Sequence, residues 1–570
     1  MAGITLLYRQ EKLESSLLQK IEGKLGKSED VSILHREDKF VLLQKKIEDY
    51  PVREVNHQDY TLIVEGKIYG VDVLNDGDFS RCTHGVLFNK NKEDSLRYIR
   101  SLDGEFVLYM IDKSTKKVVI INDYLGRLPV YYIRNDHFTI GRDIGLIHKT
   151  SGSLKFSESG VYQYMRLGYP LGDTTLFKDM YRLPPSSLIE IEGEVNIQSQ
   201  KISLKELHDS GGISGNPEEY LYEHFKRAMD VRLKSSERVV LSLSGGLDSR
   251  IIMGEIEKGN GKVAYESFHY TNAIIDADIR SVHQLCNHYE RQFGLTELEE
   301  WSPENFNELI HIKTGMNYLG MAFLVPFLKK MKSGFDLMLT GDGGDKTLPY
   351  LLPGMNLFGS DTAQLILSRN EVTSDKTCEQ LFSSALIKQE EEMIAYLNEQ
   401  NEKEPGWTYK RFLIFERTKN WLFEGEDRNR NYIWSSSPFY NPGFFKAVHS
   451  INERDKKNYR LYRSFTALVD PDLNNITNAN WGFPVSKQGK LNYLLAKQAI
   501  KQNVNGLFSF KKASLTIFSG LPDLVNTLLA KGAGVPLNLN KNPDLNALSN
   551  ESLLHLLTLL KVAELLDIKD

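Results

Sequence analysis

Ser244, Gly245, Gly246, Leu247, Asp248 and Ser249 stand directly behind an apolar run, Val239 to Leu243, and directly in front of a helix-like segment, RIIMGEIEK. Glycines lack Cβ, so the backbone here can lie close against a ligand with several N–H groups pointing into one concavity. The start of the following helix adds partial positive charge and unpaired donors, and Ser244 and Ser249 add hydroxyls. The stretch is fitted to hold a phosphate. Asp248 would repel a bare phosphate and is better suited to a hard cation that arrives with a nucleotide. No Gly-Lys-Ser/Thr closes the loop, so it is not a Walker loop.

A second acidic, glycine-rich stretch follows the apolar run FDLMLT: Thr340, Gly341, Asp342, Gly343, Gly344 and Asp345. In a doubly wound sheet, loops at the C-terminal ends of strands open onto one crevice, where ligands bind. Asp248 and Asp345 from two such loops can bracket a magnesium-bound pyrophosphate. A plain strand-to-helix turn is the alternative for each loop, but it requires glycine without the serines and aspartates.

The elements that must position these loops are legible as patterns. KVAYESFHY reads as a strand, and Asp278 to Phe293 as a helix with Cys286 on its core face. EEYLYEHFKRAMDVRL reads as a helix with Tyr220, Leu221, Phe225, Ala228, Met229 and Val231 on one broad face. From Lys39 to about Arg142, short β-rich runs separated by turn residues give an α+β pattern with antiparallel sheet. Gly211, Gly212, Gly215 and Pro217 form a breaker cluster at a domain boundary. The last 200 residues or so are mainly helical in pattern. Glu424, Glu426, Asp427, Arg428 and Arg430 read as a solvated charged face, with contact to a substrate as the alternative, and SNESLLHLLTLLKVAELL as a Ser-capped packing helix.

At 570 residues the chain needs two or more cores. Its 70 basic and 75 acidic residues leave a net charge of −5, which gives no reason to expect a nucleic-acid or membrane surface. Three cysteines, Cys82, Cys286 and Cys378, suggest neither a disulfide framework nor a zinc site. No window of about 20 residues is free of charge. A cytoplasmic protein is expected, and a homodimer stays open.

SGGLDS resembles the pyrophosphate-binding loop of the ATP pyrophosphatases, and of the asparagine synthetases in particular. That family carries Ser-Gly-Glu-Gly-Ser-Asp where this chain has Thr340 to Asp345. The resemblance implies an α/β doubly wound parallel-sheet synthetase domain over 216–570 with a helical C-terminal part. It implies ATP cleaved between the α and β phosphates with Mg2+, a carboxylate adenylated, and an amine attacking the adenylate. It places the nucleotide at Leu241, Ser242, Ser244, Gly245, Gly246, Asp248, Ser249, Thr340 and Gly341, with Ser267 and Phe268 beside the adenosine and the metal at Asp248 and Asp345. Asp342 would act as the base toward the amine. In the NANWGFPVSKQGK stretch, Lys487 or Lys490 would reach the phosphates in place of the family's lysine, with Lys487 preferred.

SLDGEFVLYMIDKSTKKVVIINDYLGRLPVYY is similar to the second half of the glutaminase domain that precedes such synthetases, an N-terminal nucleophile fold of antiparallel sheets expected over 1–205. That family uses a cysteine at position 2, where this chain has Ala2, and no Arg-Gly-Pro glutamine-binding stretch is found. Without a thiolate there is no covalent glutaminyl intermediate. The expected function is an amide-forming enzyme that joins a small-molecule or peptide carboxylate to an amine without hydrolysing glutamine. The alternatives are a lactam or macrolactam synthetase similar to the lasso-peptide cyclases, and a non-catalytic nucleotide-binding scaffold.

Overall fold

The structure, a computed structural model, describes residues 1–13, 30–210, 215–270, 276–298, 302–352, 362–382, 384–400, 402, 405–505, 520–531, 534–536, 545 and 548–568. Twelve strands make up the N-terminal part: β1 (Gly3–Tyr8), β2 (Val31–Arg36), β3 (Phe40–Lys45), β4 (Val52–Asn56), β5 (Tyr60–Ile68), β6 (Gly104–Asp112), β7 (Val118–Asn122), β8 (Tyr131–Arg134), β9 (Phe138–Gly141), β10 (Met180–Arg182), β11 (Ser187–Glu192) and β12 (Glu194–Ser199). They form two six-stranded sheets, ordered β10-β8-β9-β1-β3-β2 and β12-β11-β7-β6-β5-β4, antiparallel throughout.

Strand β6 shows why no polar alternation marks these sequences. Val107, Tyr109 and Ile111 enter the core shared with Ile4 and Leu6 of β1, whereas Phe106, Leu108 and Met110 face the helices Gly77–Leu87 and Lys92–Ser101. Successive side chains of a strand point to opposite faces, so a strand covered on both sides is apolar at every position. Strand β1 lies in the middle of its sheet, paired to both β3 and β9. The apolar opening ITLLY is therefore a core strand, an assignment its sequence reading did not make.

The second part is built on β13 (Val239–Ser242), β14 (Val263–Tyr270), β15 (Gly294–Leu298), β16 (Leu337–Leu339) and β17 (Trp434–Ser436), all parallel, in the order β15-β14-β13-β16-β17. This is the expected doubly wound sheet, and its strand order reverses between β13 and β16. Helix α1 (Pro217–Leu233) starts on an Asn216 cap whose side chain accepts from Glu218 N. It buries Leu221, Phe225, Ala228 and Met229 as expected, but also Arg232, while Tyr220 is exposed.

Helix α2 (Leu247–Lys258) follows the first loop. Beyond residue 400, an 11-residue π-helix, Phe412–Leu422, runs straight into α3 (Phe423–Arg430), and the chain ends on α4 (Asn550–Leu566), capped by Ser549. β17 lies inside the stretch read as helical: Trp434, Ser435 and Ser436 are too short a run to announce a strand. The glycines Gly211 and Gly212 of the breaker cluster lie outside the described residues. No helix among the described residues is long and apolar enough to cross a membrane.

Candidate active site

The loop Ser244 to Gly246 closes on itself. Ser244 N donates to Ser249 Oγ (3.1 Å), and Ser249 Oγ donates back to the Ser244 carbonyl (2.9 Å). No side chain caps α2 at Gly246, so the helix opens with its first-turn donors free of side-chain partners. Arg250, fully buried, ties the loop down from behind. Its guanidinium donates to the carbonyls of Gly245 and Gly246 at 2.9 and 2.8 Å, and to those of Leu473, Ile476 and Thr477 at 2.9–3.1 Å. Satisfying five carbonyls with one cation fixes the loop's carbonyl side. Gly245 N is taken by Asp278 Oδ1 (2.9 Å). A Cβ on Gly245 would come within 2.9 Å of Ala479 and 2.7 Å of Ser281, so only glycine fits.

The second loop starts where Thr340 N donates to the carbonyl of Ser436, at the end of β17 (3.1 Å). Thr340 Oγ1 donates to Asp342 Oδ2 (2.9 Å), and Ser437 Oγ donates to the Asp342 carbonyl. Gly343 is left-handed (φ 92°), and its Cβ would stand 2.5 Å from the Tyr440 ring. A Cβ on Gly344 would collide with the Asp248 carboxylate, and one on Gly341 would come within 2.8 Å of Asp248 Cβ. The glycines thus serve contact between the loops: the two lie against each other at the point where the strand order reverses, which is where a doubly wound sheet leaves its crevice.

Three carboxylates meet there. Burial, then the charges of Asp345 and Asp342, push the Asp248 carboxyl well above its ordinary range, although Lys346 opposes the shift. Tyr462 donates its hydroxyl to Asp248 Oδ1. Asp342 is pushed up to about 6, first by burial and then by Glu426 and Asp345, against its hydrogen bond from Thr340 and the charge of Arg127. Asp345 is exposed and ion-paired with Lys346. Tyr440 is fully buried beside Glu426, Asp345 and Asp342, and its hydroxyl has no hydrogen-bond partner. Acidic oxygens raised by one another, next to an orphaned hydroxyl, form a donor set suited to a hard cation. Among the described residues the group of three metal-type donors within mutual reach is His288, Asp470 and Asp472, where Asp470 caps a short helix; the carboxylates at the loops would need phosphate oxygens to complete a magnesium shell.

The other expected residues fall out as follows. Leu241 is core, and Ser242 is half-buried at the end of β13. Ser267 is buried on β14, and Phe268 packs its ring against Phe323 and Phe327 at 6.2 and 5.3 Å. Lys487 is exposed just before the helix Gln488–Asn505, with no hydrogen bond or ion pair to either loop among the described residues. The lysine at the carboxylates is Lys346, which the reading passed over although it directly follows Asp345. The Asn480–Trp481 region does reach the site: Ala479 N donates to the Gly245 carbonyl (3.2 Å), and Trp481 packs on Tyr459 at 4.9 Å. Tyr459 sits at φ 58°, a costly conformation for a bulky residue, and burial together with Asp248 and Asp345 raises its hydroxyl to about 12.

The charged segment on α3 is the largest departure from expectation. Glu424, Glu426, Asp427, Arg428 and Arg430 are all buried, not solvated. Arg127 grips both oxygens of Glu426 at 3.0 Å and also pairs with Glu105; Arg430 adds a bond to Glu426 at 2.8 Å. Arg182 and Tyr131 reach Glu424 at 2.8 and 2.7 Å, Arg142 reaches Asp427, and Lys313 holds both acids at 2.6 and 2.5 Å. Arg428 donates to Asn317 Oδ1 (3.0 Å), and of its neighbours Asp342 does most to favour its charge. Arg127 and Arg142 of the N-terminal part therefore anchor α3, whose Glu426 acts on Asp342. Nothing in local sequence tells a buried charge run from a solvated one when the partners lie about 300 residues away.

A doubly wound domain with an anion-binding loop and acidic crevice, held on a two-sheet amidotransferase-type sandwich, defines a nucleotide-dependent ligase class. The asparagine synthase family model matches residues 220–478, and the glutamine amidotransferase domain model matches residues 45–201. The chain has the architecture of the asparagine synthetase family, and its synthase domain is of the ATP-dependent, amide-forming ligase type. Solved structures similar to it include glutamine phosphoribosylpyrophosphate amidotransferase from B. subtilis, complexed with ADP and GMP (9% identity, 52% of this chain and 84% of that one, TM-score 0.21). Another is described as the allosteric regulatory enzyme of purine biosynthesis (10% identity, 52% and 74%, TM-score 0.18). Comparison with curated proteins gave no match.

Proposed function

We propose that this protein uses ATP to adenylate a carboxylate, releases pyrophosphate, and passes the acyl group to an amine that it does not obtain from glutamine. The observation that carries the reading is the contact of the two glycine-rich loops at the strand-order reversal, with Asp248, Asp342 and Asp345 between them. A carboxylate oxygen attacks the α-phosphorus, and the bond from that phosphorus to the β-phosphate bridge breaks. The first turn of α2, which no side chain caps, offers its N–H groups to the departing pyrophosphate, where fixed dipoles are most effective. Mg2+ would be held by Asp248 and Asp345 and would neutralise charge on the phosphates. In the second half, an amine nitrogen attacks the acyl carbon, AMP leaves with its oxygen, and the ammonium proton passes to Asp342.

The N-terminal part supports the absence of a glutaminase step. Ala2 is fully buried, and Cys82 is a core residue of the helix Gly77–Leu87. The inter-sheet space next to β1 is filled: Glu65 accepts from Ile4 N (3.2 Å) and pairs with Arg142, and Tyr50 donates to Glu65 at 2.8 Å. All three cysteines are free and buried, which agrees with a cytoplasmic setting. The products test the reading. With a genuine carboxylate and amine, phosphorus NMR should show AMP and pyrophosphate, and glutamine in the same mixture should release no glutamate. ADP with phosphate, or glutamate release stopped by a glutamine-site inhibitor, would overturn it.

Asp342 should divide the two half-reactions. Its pKa is raised to about 6, so it is ionised and able to accept a proton above that pH and neutral below it. Amide formation is expected to rise with pH through about 6, while pyrophosphate exchange, which reports adenylation, stays flat there. Asp342→Asn should keep exchange and lose about 10²-fold or more in amide formation, the usual contribution of a positioned general base. Equal loss in both assays would remove Asp342 from the proton transfer.

A further inference from the structure

A cavity of about 170 Å³ lies beside the π-helix, away from the two loops. Its walls come from the end of the helix Glu158–Leu167, the end of the helix Thr362–Asn370, the π-helix and α4. Its charged lining is two guanidinium groups, Arg369 and Arg417, and one carboxylate, Glu551. Arg369 stacks on Tyr409 (5.4 Å) and Arg417 on Trp421 (5.1 Å). A guanidinium held by its face keeps N–H edges for an in-plane acceptor, and a carboxylate is the acceptor that matches that fork. Arg369 Nε is buried with no hydrogen-bond partner.

A further polar group of the lining is His555, 1% exposed. Its Nδ1 lies 2.8 Å from the Glu551 carbonyl, which can only accept, so Nδ1 carries the hydrogen and Nε2 keeps a lone pair. Burial pushes the imidazole down to about 4, so this neutral tautomer persists at physiological pH. Stacking on Tyr318 (4.4 Å, 9°) and edge contact with Tyr164 (5.1 Å) fix the ring. Nε2 has no partner. The space before it is open because Gly168 (φ 88°) has no Cβ; a Cβ there would stand 3.2 Å from Nε2. An unpartnered acceptor in a lining that also holds two guanidinium groups and a carboxylate calls for a donor and an anion on one small molecule.

We propose that this cavity binds a small α-amino acid, its carboxylate held by Arg369 and Arg417 and its ammonium group by Glu551 and His555 Nε2. The volume suits a short side chain, since a cavity of about 150 Å³ holds one benzene. Extended π-helical geometry is rare and concentrates at functional sites. The same helix continues into α3, so Trp421 and Arg428 are seven residues, or about 10 Å, apart along one axis. The occupant therefore bears on the element that carries Glu426. The proposal does not depend on the adenylation reading, because its readout is binding.

Saturation-transfer NMR and calorimetry on the full chain without nucleotide would use glycine, L-alanine, L-serine and L-aspartate, with propionate and ethylamine as the one-charge controls. At least one amino acid should bind saturably below about 10 mM, and each control about tenfold or more weaker. Arg369→Gln and Glu551→Gln should each weaken that binding about tenfold while the thermal midpoint stays at the wild-type value. No saturable amino acid, a control as tight as the amino acid, or binding that both variants leave unchanged would each overturn it.

Discussion

Asp248→Asn is expected to lose about 10²–10³ in the rate of pyrophosphate release, the usual effect of removing one positioned charge contact, and at the same time to make the unliganded protein more stable. The second half of the expectation follows from the sign of the titration. The folded-state pKa of Asp248 is raised, by burial first and then by Asp345 and Asp342. A raised pKa means that its contribution is favourable while the group is protonated and is lost as pH rises through the folded value. At pH 7 the wild type carries that penalty, and an asparagine, which can still accept from Tyr462, does not.

A gain of about 2 °C in the first unfolding transition corresponds to roughly 1 kcal/mol in a domain of this size. The gain should shrink toward pH 4, where the wild-type carboxyl is neutral too. Magnesium with ATP should reverse the order, because the wild type gains the cation contact and the variant does not. Calorimetry with and without the nucleotide reads both effects. Asp345→Asn should match the activity loss and raise the midpoint by less than Asp248→Asn does, since it relieves Asp248 of one neighbouring charge but gives up the exposed pair with Lys346. A wild-type rate from either variant would take that carboxylate out of the site, and a lowered midpoint for Asp248→Asn would show that its charge stabilises the fold.

The two loops were legible in the sequence because their chemistry is contiguous: six residues each, behind an apolar run. The doubly wound parallel sheet was implied by the resemblance of those loops to the asparagine synthetases, with the strand and helix patterns around them in agreement. What lay beyond reach was made of residues brought together from afar. β17 is three residues long and is defined only by β16 beside it. Tyr440, Tyr459 and Tyr462 meet Asp248, Asp342 and Asp345 from other segments, and no spacing rule links them to the two loops, whereas Lys346 directly follows Asp345. Glu424 to Arg430 misled for a related reason. A run of alternating charge looks solvated, and it is Arg127, Arg142 and Arg182 from the other part of the chain, together with Lys313, that make it a buried network. Lys487 was chosen by reach along the sequence, whereas Lys346 is placed by the short helix Gly344–Thr347.

That network gives the second large effect, in Arg127→Met. Arg127 holds Glu426 with two bonds, pairs with Glu105, lies over the Tyr440 ring at 5.1 Å and offers its carbonyl to Arg430 at 2.9 Å. Replacing it leaves two buried carboxylates short of a cation, a change that costs about 3–5 kcal/mol when one partner of a buried pair is removed. Arg127→Lys should not restore the loss, because one ammonium group cannot replace a guanidinium whose Nη2 holds Glu426 while its Nη1 pairs with Glu105. The same change should be felt in catalysis without touching substrate. Glu426 raises the Asp342 pKa and Arg127 lowers it, so loss of Arg127 moves the midpoint of amide formation upward from about 6. Glu426→Gln should move it downward, and in the Arg127→Met background should recover the part of the stability owed to Glu426, with Glu105 still short of its cation. Chemical unfolding and the pH profile of amide formation, measured on the two single variants and the double, give both couplings. If Arg127→Met leaves the pH midpoint in place while stability falls, the N-terminal part is a mechanical support only; if it shifts as expected, the amidotransferase-type domain sets the proton affinity of the synthetase site.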